Sequence, residues 1–329
     1  SGICCLINNI NCSNFNYERV SHIIRVAKKK KMKKKNKFWI LFVLTILLSL
    51  SSQLFGQVNR VLNISPTAHE TSVGNQSLFF RSPAHNFFTK DDSLSQVTFT
   101  RMNWLGNITE GMTFNYVEGN WKDFDVSLTY MDYGQQKHTD EMGVILRNFS
   151  PNSFIVYLGW GTQLNYKNIP MKNTFIGFSG KFIKHDLYTE KGSGLLLDVA
   201  LHQKNILDLF DLDVMLKNWG YAPRIGSVST EIPTNISVGT TIEKNNLTFY
   251  NQWNFYKGYY THGQGVKYKY NNFLNLKVGY FNDVEYKLNY PTLGIDLKYA
   301  NYILHLGYIG GSENLPLRNT LLTSINVEF

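Results

Sequence analysis

The sequence has almost no cysteine. Cys4, Cys5 and Cys12 are the only three in 329 residues, and all of them lie near the start. The rest of the chain therefore does not rely on disulfides for its stability. Two adjacent cysteines and a third, without a second half-site, are weak grounds for a metal or thiol site.

The chain also lacks an apolar run of the ~20 residues that a membrane-spanning helix needs. The apolar run at 38–50 has 13 residues and follows a basic stretch that starts at Met32. Small and polar residues come next, which is the order of a secretory signal peptide rather than of a transmembrane anchor. We predict a signal peptide at 32–56, a mature chain that starts near Gln57, and upstream read-through without structure at 1–31.

An excess of positive charge is missing from most of the chain. Ten of the 33 basic residues and one of the 24 acidic residues lie in 1–56, which leaves 23 of each in the remainder. The high pI therefore belongs to the targeting segment. Net charge gives no indication of a nucleic-acid surface, and we expect no nucleic-acid partner.

Motifs of catalysis are also lacking. The Gly192-Ser193-Gly194 stretch is not a nucleophile elbow and is read as a turn. The histidines show no metalloprotease spacing, and 263–265 has Gly-x-Gly without a strand-to-helix context. Asp140 and Glu141 have the chemistry to bind a cation, although hairpin connections also favour acidic residues. We expect no enzyme, no catalytic residue, no metal and no cofactor.

What the sequence does have is short runs of alternating apolar and polar residues, separated by turn-forming residues. Alternation with period two is typical of strands that have one apolar face. An even number of about 14 strands with a ~10-residue rhythm predicts a closed antiparallel transmembrane β-barrel. The predicted strands are 97–104, 111–118, 122–132, 153–163, 173–185, 192–203, 210–219, 233–243, 247–257, 264–271, 273–281, 292–300, 301–309 and 318–329.

Aromatic residues and the chain end favour the membrane over a soluble sandwich or a lipocalin-like barrel, which would also alternate. Tyr and Phe dominate the runs, as they do in the girdles of membrane barrels. Ile325, Val327 and Phe329 share one face of the last strand, and this resembles the C-terminal signal that engages the barrel-assembly machinery. We predict an outer-membrane protein whose partners are membrane lipid and that machinery.

Residues 57–96 fit the strand pattern less well. We expect a short helix at Thr67 to Gly74 and an extended piece through Phe80. A barrel of this size has a lumen that is either filled or left as a channel. We therefore predict an N-terminal plug or periplasmic cap at 57–96, followed by the barrel at 97–329.

Four stretches of sequence, taken in order, resemble a known family. The first includes 64–68, Gly74 and 82–84, and the second runs from 131–134 to 139–143. The third combines 180–183, 197–201 and 217–220, and the fourth ends at 277–280. The residues that carry the likeness are Ser65, Pro66, Ala68, Gly74, Pro83, Ala84, Tyr133, Gly134, Asp140, Glu141, Gly143, Lys181, Asp198, Asn218, Gly220, Gly279 and Tyr280.

These stretches resemble the PorV/PorQ family, including the uncharacterised UPF0164 group, whose barrel is similar to that of the fatty-acid transporter FadL. The resemblance implies a non-enzymatic FadL-like barrel that serves type IX protein secretion or envelope assembly. Secretion-system proteins or their cargo would then be partners. The alternative is a FadL-like passive transporter of hydrophobic small molecules, which an apolar lumen would favour.

Overall fold

A computed structural model describes residues 60–84, 96–103, 111–121, 123–164, 173–226, 228–312, 315 and 317–329. The predicted upstream segment and signal peptide lie outside these residues. In the part of the chain that the structure describes, no helix is long and apolar enough to cross a membrane.

Fourteen strands form one closed antiparallel barrel, and two short hairpins stand apart from it. The strands are β1 (Gln96–Asn103), β2 (Met112–Trp121), β3 (Phe124–Tyr133), β4 (Gln136–Thr139), β5 (Ile145–Phe149), β6 (Asn152–Gln163), β7 (Thr174–Asp186), β8 (Lys191–Ile206), β9 (Phe210–Tyr221), β10 (Arg224–Ile225), β11 (Val228–Ser229), β12 (Asn235–Lys244), β13 (Leu247–Phe255), β14 (Tyr260–Lys269), β15 (Leu274–Asp283), β16 (Leu288–Tyr299), β17 (Tyr302–Ile309) and β18 (Thr320–Glu328). The barrel strands run in the order β1-β18-β17-β16-β15-β14-β13-β12-β9-β8-β7-β6-β3-β2, so nearly all neighbours in the barrel are also neighbours in sequence.

The fold-class prediction is confirmed, and the predicted strands differ from the observed ones mainly at their ends. The largest differences are in β14, predicted to start at residue 264, and β16, predicted to start at 292; each begins four residues earlier. Gly263 falls outside the predicted strands but lies inside β14, paired with Gln252 and Phe281. This glycine faces the lumen, where the N-terminal segment leaves no room for a side chain.

Burial alternates along the barrel strands, and the exposed faces are apolar. In β3, Phe124, Val126, Leu128 and Tyr130 are exposed while the residues between them are buried. The same holds for Leu276, Val278 and Tyr280 of β15. Because the barrel has no open edge and presents an apolar band outward, it is built to span a membrane.

The two ends of the barrel differ in the length of their connections. The turns β2–β3, β12–β13 and β16–β17 are short, whereas the β3–β6 connection holds a hairpin, and the β9–β12 connection spans 222–234. Membrane barrels have short periplasmic turns and longer extracellular loops. Gln96 and Phe329 therefore lie at the periplasmic end.

Residues 60–84, which we call the inner segment, lie inside the barrel. A 3-10 turn (Arg60–Asn63) is followed by helix α1 (Ala68–Ser72) and helix α2 (Ser77–Arg81). The expected helix at Thr67 to Gly74 is present, but the extended piece after it is wrong because α2 occupies it. The role of the whole 57–96 region as a plug or cap stays a prediction.

Hydrogen bonds tie both helices to the wall. The backbone N–H of Ala68 donates to Ser324 Oγ at 2.8 Å, and that of Leu78 donates to Gln252 Oε1 at 2.9 Å. Helix α1 begins at a capping residue, Thr67, whose Oγ1 accepts from the backbone N–H of Glu70.

Glycines on the inner wall make room for this segment. A Cβ atom at Gly279 would lie 2.3 Å from the backbone N of Gly74, and one at Gly265 would lie 2.3 Å from the carbonyl oxygen of Val73. Such distances exclude any side chain without movement of a backbone. The wall glycines that face the inner segment in this way are Gly177, Gly239, Gly263, Gly265, Gly279, Gly294 and Gly307.

Candidate functional site

A cavity of about 760 Å³ lies in the lumen beside the inner segment. Its lining includes loop residues 231–234, 256–259, 285 and 286, so it extends toward the long-loop end of the barrel. This volume is within the range of small-molecule sites, ~300–1,000 Å³.

One side of the cavity is apolar. Val61 and Ile64 of the inner segment face Phe114 and Ile155 of the wall, and all four line the cavity. Val61, Phe114 and Ile155 are buried members of one hydrophobic cluster, against which Ile64 packs. These residues make a surface that attracts apolar ligands without directional bonds.

The other side carries charge from the inner segment. Arg81, at the end of α2, forms an ion pair with Glu70 of α1, with Nε and Oε2 3.2 Å apart. Burial raises the pKa of the Glu70 carboxyl, although the facing guanidinium favours its ionised form. Burial acts to lower the pKa of Arg81, but the Glu70 carboxylate, Tyr116 and Glu118 act together in the opposite direction, and the pKa is raised. The pair joins the two helices at the cavity wall.

The charged side continues into an irregular part of the barrel. The pairing of β8 with β9 shifts register between Leu197 and Val199. Asp198, at this shift, accepts from the backbone N–H of Asn218 at 2.7 Å and pairs with Lys181 Nζ at 2.7 Å. Asn218 has φ 57°, a left-handed conformation that Asn adopts more readily than most residues. The wall is thus bent here and held by an ionic cluster.

Several residues selected from sequence meet in this cluster. Lys181, Asp198 and Asn218 come from the three parts of the third stretch of the resemblance, and hydrogen bonds join them. Gly220 lies on the same bulged strand, where a Cβ atom would be 2.3 Å from Leu195 O. Lys181 and Asp198 line the cavity directly.

Among the other motif residues, Pro66 lines the cavity from the inner segment, and most lie outside the cavity lining. Asp140 Oδ1 accepts from the backbone N–H groups of Met142 and Val144, at 3.0 and 2.8 Å, so it organises the β4–β5 turn. Glu141 and Gly143 are exposed in that turn. Tyr133 Oη contacts Ser153 Oγ at 3.0 Å, away from the cavity lining.

The remaining motif residues divide between the inner segment and the outer wall. Ser65, Ala68 and Gly74 are buried in the inner segment, as are Pro66, Pro83 and Ala84. Gly134 N donates to Asp132 at the end of β3. Tyr280 is exposed on the outer face of β15, and Ile325 is exposed on that of β18, with Val327 and Phe329 at its periplasmic end.

A second ionic cluster joins α1 to the wall. Asp296 accepts from Lys277 and from His305 Nδ1, the latter at 2.6 Å. His69 Nδ1 lies 2.5 Å from Lys277 Nζ. Burial, followed by the nearby ammonium, lowers the pKa of His69 to about 3. His69, Asp296 and His305 have metal-binding atoms within 4.8 Å of one another, but Lys277 Nζ contacts two of these residues, His69 and Asp296, so its charge opposes a cation there.

Sequence reasoning did not select Arg81, Lys217, Lys277 or Asp296. Lys277 and Asp296 could have been found from sequence, because each is a charged residue at an inward position of a strand with alternating apolar and polar residues. Arg81 had no such signal because the segment around it was expected to be extended. Lys217, which donates to Ser77 Oγ at 2.9 Å, lies on the bulge that breaks the alternation.

Comparison with known proteins gives a likeness in structure alone. No protein-family model matches the chain, and no curated protein does. The toluene transporter TodX of Pseudomonas putida has a similar structure, with 12% identity, a TM-score of 0.52, and coverage of 82% of this chain and 98% of TodX. A Pseudomonas aeruginosa FadL homologue gives 9% identity, a TM-score of 0.44, and coverage of 81% and 96%.

The likeness to TodX shows a shared fold. The closed barrel and its apolar outer band indicate a membrane location independently of the likeness to TodX. Among structures built of strands, only a closed barrel forms hydrogen bonds to all of its backbone groups within lipid. The chain is an outer-membrane β-barrel with a FadL-like architecture.

Proposed function

We propose that this barrel is a passive transporter of small hydrophobic molecules. The lumen cavity carries the proposal: it is large enough for such a ligand, is apolar on one side and extends toward the extracellular loops. TodX, which shares the fold, is named as a toluene transporter.

The two sides of the cavity suggest how a ligand would sit. An apolar body would pack on Ile64, Phe114 and Ile155, and any polar end would turn toward Arg81 and Lys217. The inner segment is fastened to the wall by hydrogen bonds and close glycine contacts, so it restricts the straight path along the lumen. Exit would use the bent wall at β8–β9 or a movement of the inner segment.

The role in type IX secretion or envelope assembly has less support. It rests on the order of the motif stretches, and the comparisons with known proteins add nothing to it. Secretion-system proteins, cargo and the assembly machinery remain proposed partners.

A non-enzymatic role is consistent with the position of one serine–histidine pair, Ser153 and His185. Ser153 Oγ contacts His185 Nδ1 at 2.6 Å, but both residues are buried and neither lines the cavity. A nucleophile needs access to its substrate. We therefore propose binding and passage rather than hydrolysis.

Ligand binding tests the proposal. Ile155→Trp would place an indole in the cavity, and Leu158→Trp on the same strand would place one on the exposed outer face. We expect the purified parent and Leu158→Trp to bind a fluorescent apolar probe, with toluene displacing it, and Ile155→Trp to bind at least tenfold more weakly. Equal binding by all three proteins would contradict it.

A further inference from the structure

Aromatic side chains surround the part of the cavity that lies at the long-loop end of the barrel. Tyr256 and Tyr259 come from the β13–β14 connection, and Tyr286 comes from the β15–β16 connection. All three side chains line the cavity. We call these three residues the tyrosine cage. They are separate from the apolar surface of the inner segment, on which the proposed transport rests.

The rings of the tyrosine cage lie close together in two orientations. Tyr256 and Tyr259 are stacked, with ring centroids 4.6 Å apart and planes 3° from parallel. Tyr286 is steeply inclined to Tyr259, at 73° and a centroid distance of 6.4 Å. The face of an aromatic ring carries the negative part of its quadrupole. Two rings at this distance and angle can both lie within about 6 Å of one cation, the range of cation–π attraction.

Carboxylates add negative charge beside the tyrosine cage. Glu231, Asp283 and Glu285 line the same part of the cavity. Lys257 lines it too, so the described lining at this end has three acidic residues and one basic residue. Burial, followed by the nearby Glu285 carboxylate, raises the pKa of the Tyr259 phenol, so this carboxylate acts directly on the tyrosine cage. The lining therefore favours a positively charged ligand at this end.

Hydrogen bonds hold both turns that carry the rings. The backbone N–H of Tyr256 donates to the carbonyl oxygen of Tyr259 at 3.0 Å. In the other turn, Asp283 Oδ1 accepts from the backbone N–H groups of Glu285 and Tyr286, at 3.0 and 3.1 Å. Groups that are already held in place lose little conformational freedom on binding, and this favours affinity.

We propose that the tyrosine cage binds a small organic cation with a quaternary ammonium group. Such a nitrogen has no hydrogen to donate, so ring faces and nearby carboxylates recognise it without directional hydrogen bonds. A metal ion would instead need a shell of oxygen ligands, which ring faces do not supply. Because the tyrosine cage lines the lumen, the ligand is a free solute rather than the headgroup of a lipid outside the barrel. This site goes beyond the proposed transport of hydrophobic molecules and does not depend on it.

Calorimetric titration of the purified barrel with phenyltrimethylammonium tests the site, in a maltoside detergent because this carries no ammonium group. Tyr259→Leu removes a ring of the tyrosine cage, whereas Tyr260→Leu removes its exposed neighbour on the outer face. Glu285→Gln removes a charge of the cavity lining, whereas Glu141→Gln removes an exposed charge of the β4–β5 turn. We expect the parent and the two control variants to bind the ion alike, and Tyr259→Leu and Glu285→Gln to bind it roughly fivefold more weakly.

No binding by the folded parent would overturn the proposal, and so would equal binding by all five folded proteins. A second titration uses tert-butylbenzene, which has the same shape as the ion without its charge. We expect Glu285→Gln to leave the affinity for this neutral molecule unchanged. An equal loss of affinity for both molecules would mean that charge recognition is absent, which also overturns the proposal.

Ile155→Trp separates this site from the proposed transport. We expect this variant to lose the fluorescent apolar probe and to bind phenyltrimethylammonium as the parent does. Loss of both ligands would place the ion deeper in the cavity and overturn the proposal. A parent that binds the ion, with the losses expected for Tyr259→Leu and Glu285→Gln, but not the apolar probe would support the site and contradict the proposed transport.

Discussion

At the scale of single residues, the glycines on the inner wall determine how closely the inner segment packs against the strands. Inner-wall glycines let the backbone of the inner segment approach the strands more closely than any other residue would allow. The Gly-x-Gly at 263–265, which in sequence invites a nucleotide-binding interpretation, has this packing role. Charged residues then fix the segment: Lys277 and Asp296 hold α1, and Lys217 holds α2.

The close glycine contact at β15 is testable by substitution. Gly279→Ala would place a methyl group 2.3 Å from Gly74 N, whereas Gly180→Ala on β7 would meet nothing within 4 Å. Overpacking of this kind costs about 1–3 kcal/mol. We expect Gly279→Ala to lower the thermal midpoint of the barrel in detergent and Gly180→Ala to leave it unchanged. Equal midpoints for the two variants would show that the inner segment is not held against β15.

Docking of α1 should depend on pH through His69. Its pKa is about 3 in the folded chain because of burial and the adjacent ammonium, and about 6.5 when free. The docked form disfavours the protonated imidazole, so the contribution of His69 is complete above pH ~6.5 and is lost as the pH falls toward 3. From pH 7.5 to pH 5, we expect amide protection in α1 to fall on the order of tenfold more in the parent than in His69→Gln. The same fall in both proteins would contradict the placement of His69.

At the scale of elements, the sequence pattern was sufficient for the strands and insufficient for the inner segment. Alternation located all fourteen barrel strands because each has one face in lipid and one in the lumen. Helix α2 was missed because its five residues give no periodic signal and because Gln76 before it makes no side-chain capping bond, unlike Thr67 before α1. The Lys181–Asp198–Asn218 cluster was only a set of separate motifs until the β8–β9 bulge placed them side by side.

The two faces of β3 should respond differently to charge. Leu128 is 43% exposed on the outer face, and Thr129 is 8% exposed and lines the cavity. Arg at a lipid-facing midplane position costs about 2–4 kcal/mol. We expect Leu128→Arg to lower the free energy of unfolding in lipid vesicles by that amount and Thr129→Arg to lower it less. Similar losses would mean that the face assignment of β3 is wrong.

At the scale of the whole molecule, closure, the outer band and the inner segment together give an outer-membrane barrel with a ligand-sized cavity. Neither the cavity nor the ion pairs around it were visible in sequence, because they combine residues from the inner segment and from distant strands. The proposed function therefore rests on this three-dimensional site rather than on any one motif.

Assembly of the barrel should depend on Phe329 more than the stability of the folded barrel does. Phe329 is exposed just beyond β18, so it contributes little to the folded state. Deleting it should slow membrane insertion in cells while detergent-refolded protein keeps nearly the parent heat resistance. If insertion and heat resistance fell together, Phe329 would be an ordinary girdle residue.

Hydrocarbon uptake tests the central claim most directly. Radiolabelled toluene is supplied to Gram-negative cells that lack their own hydrocarbon channels and express the parent, Ile155→Trp or Leu158→Trp at equal levels of folded barrel. The account predicts faster uptake with the parent and with Leu158→Trp than with an empty vector, and vector-level uptake with Ile155→Trp. Vector-level uptake by cells that carry the folded parent barrel would contradict it.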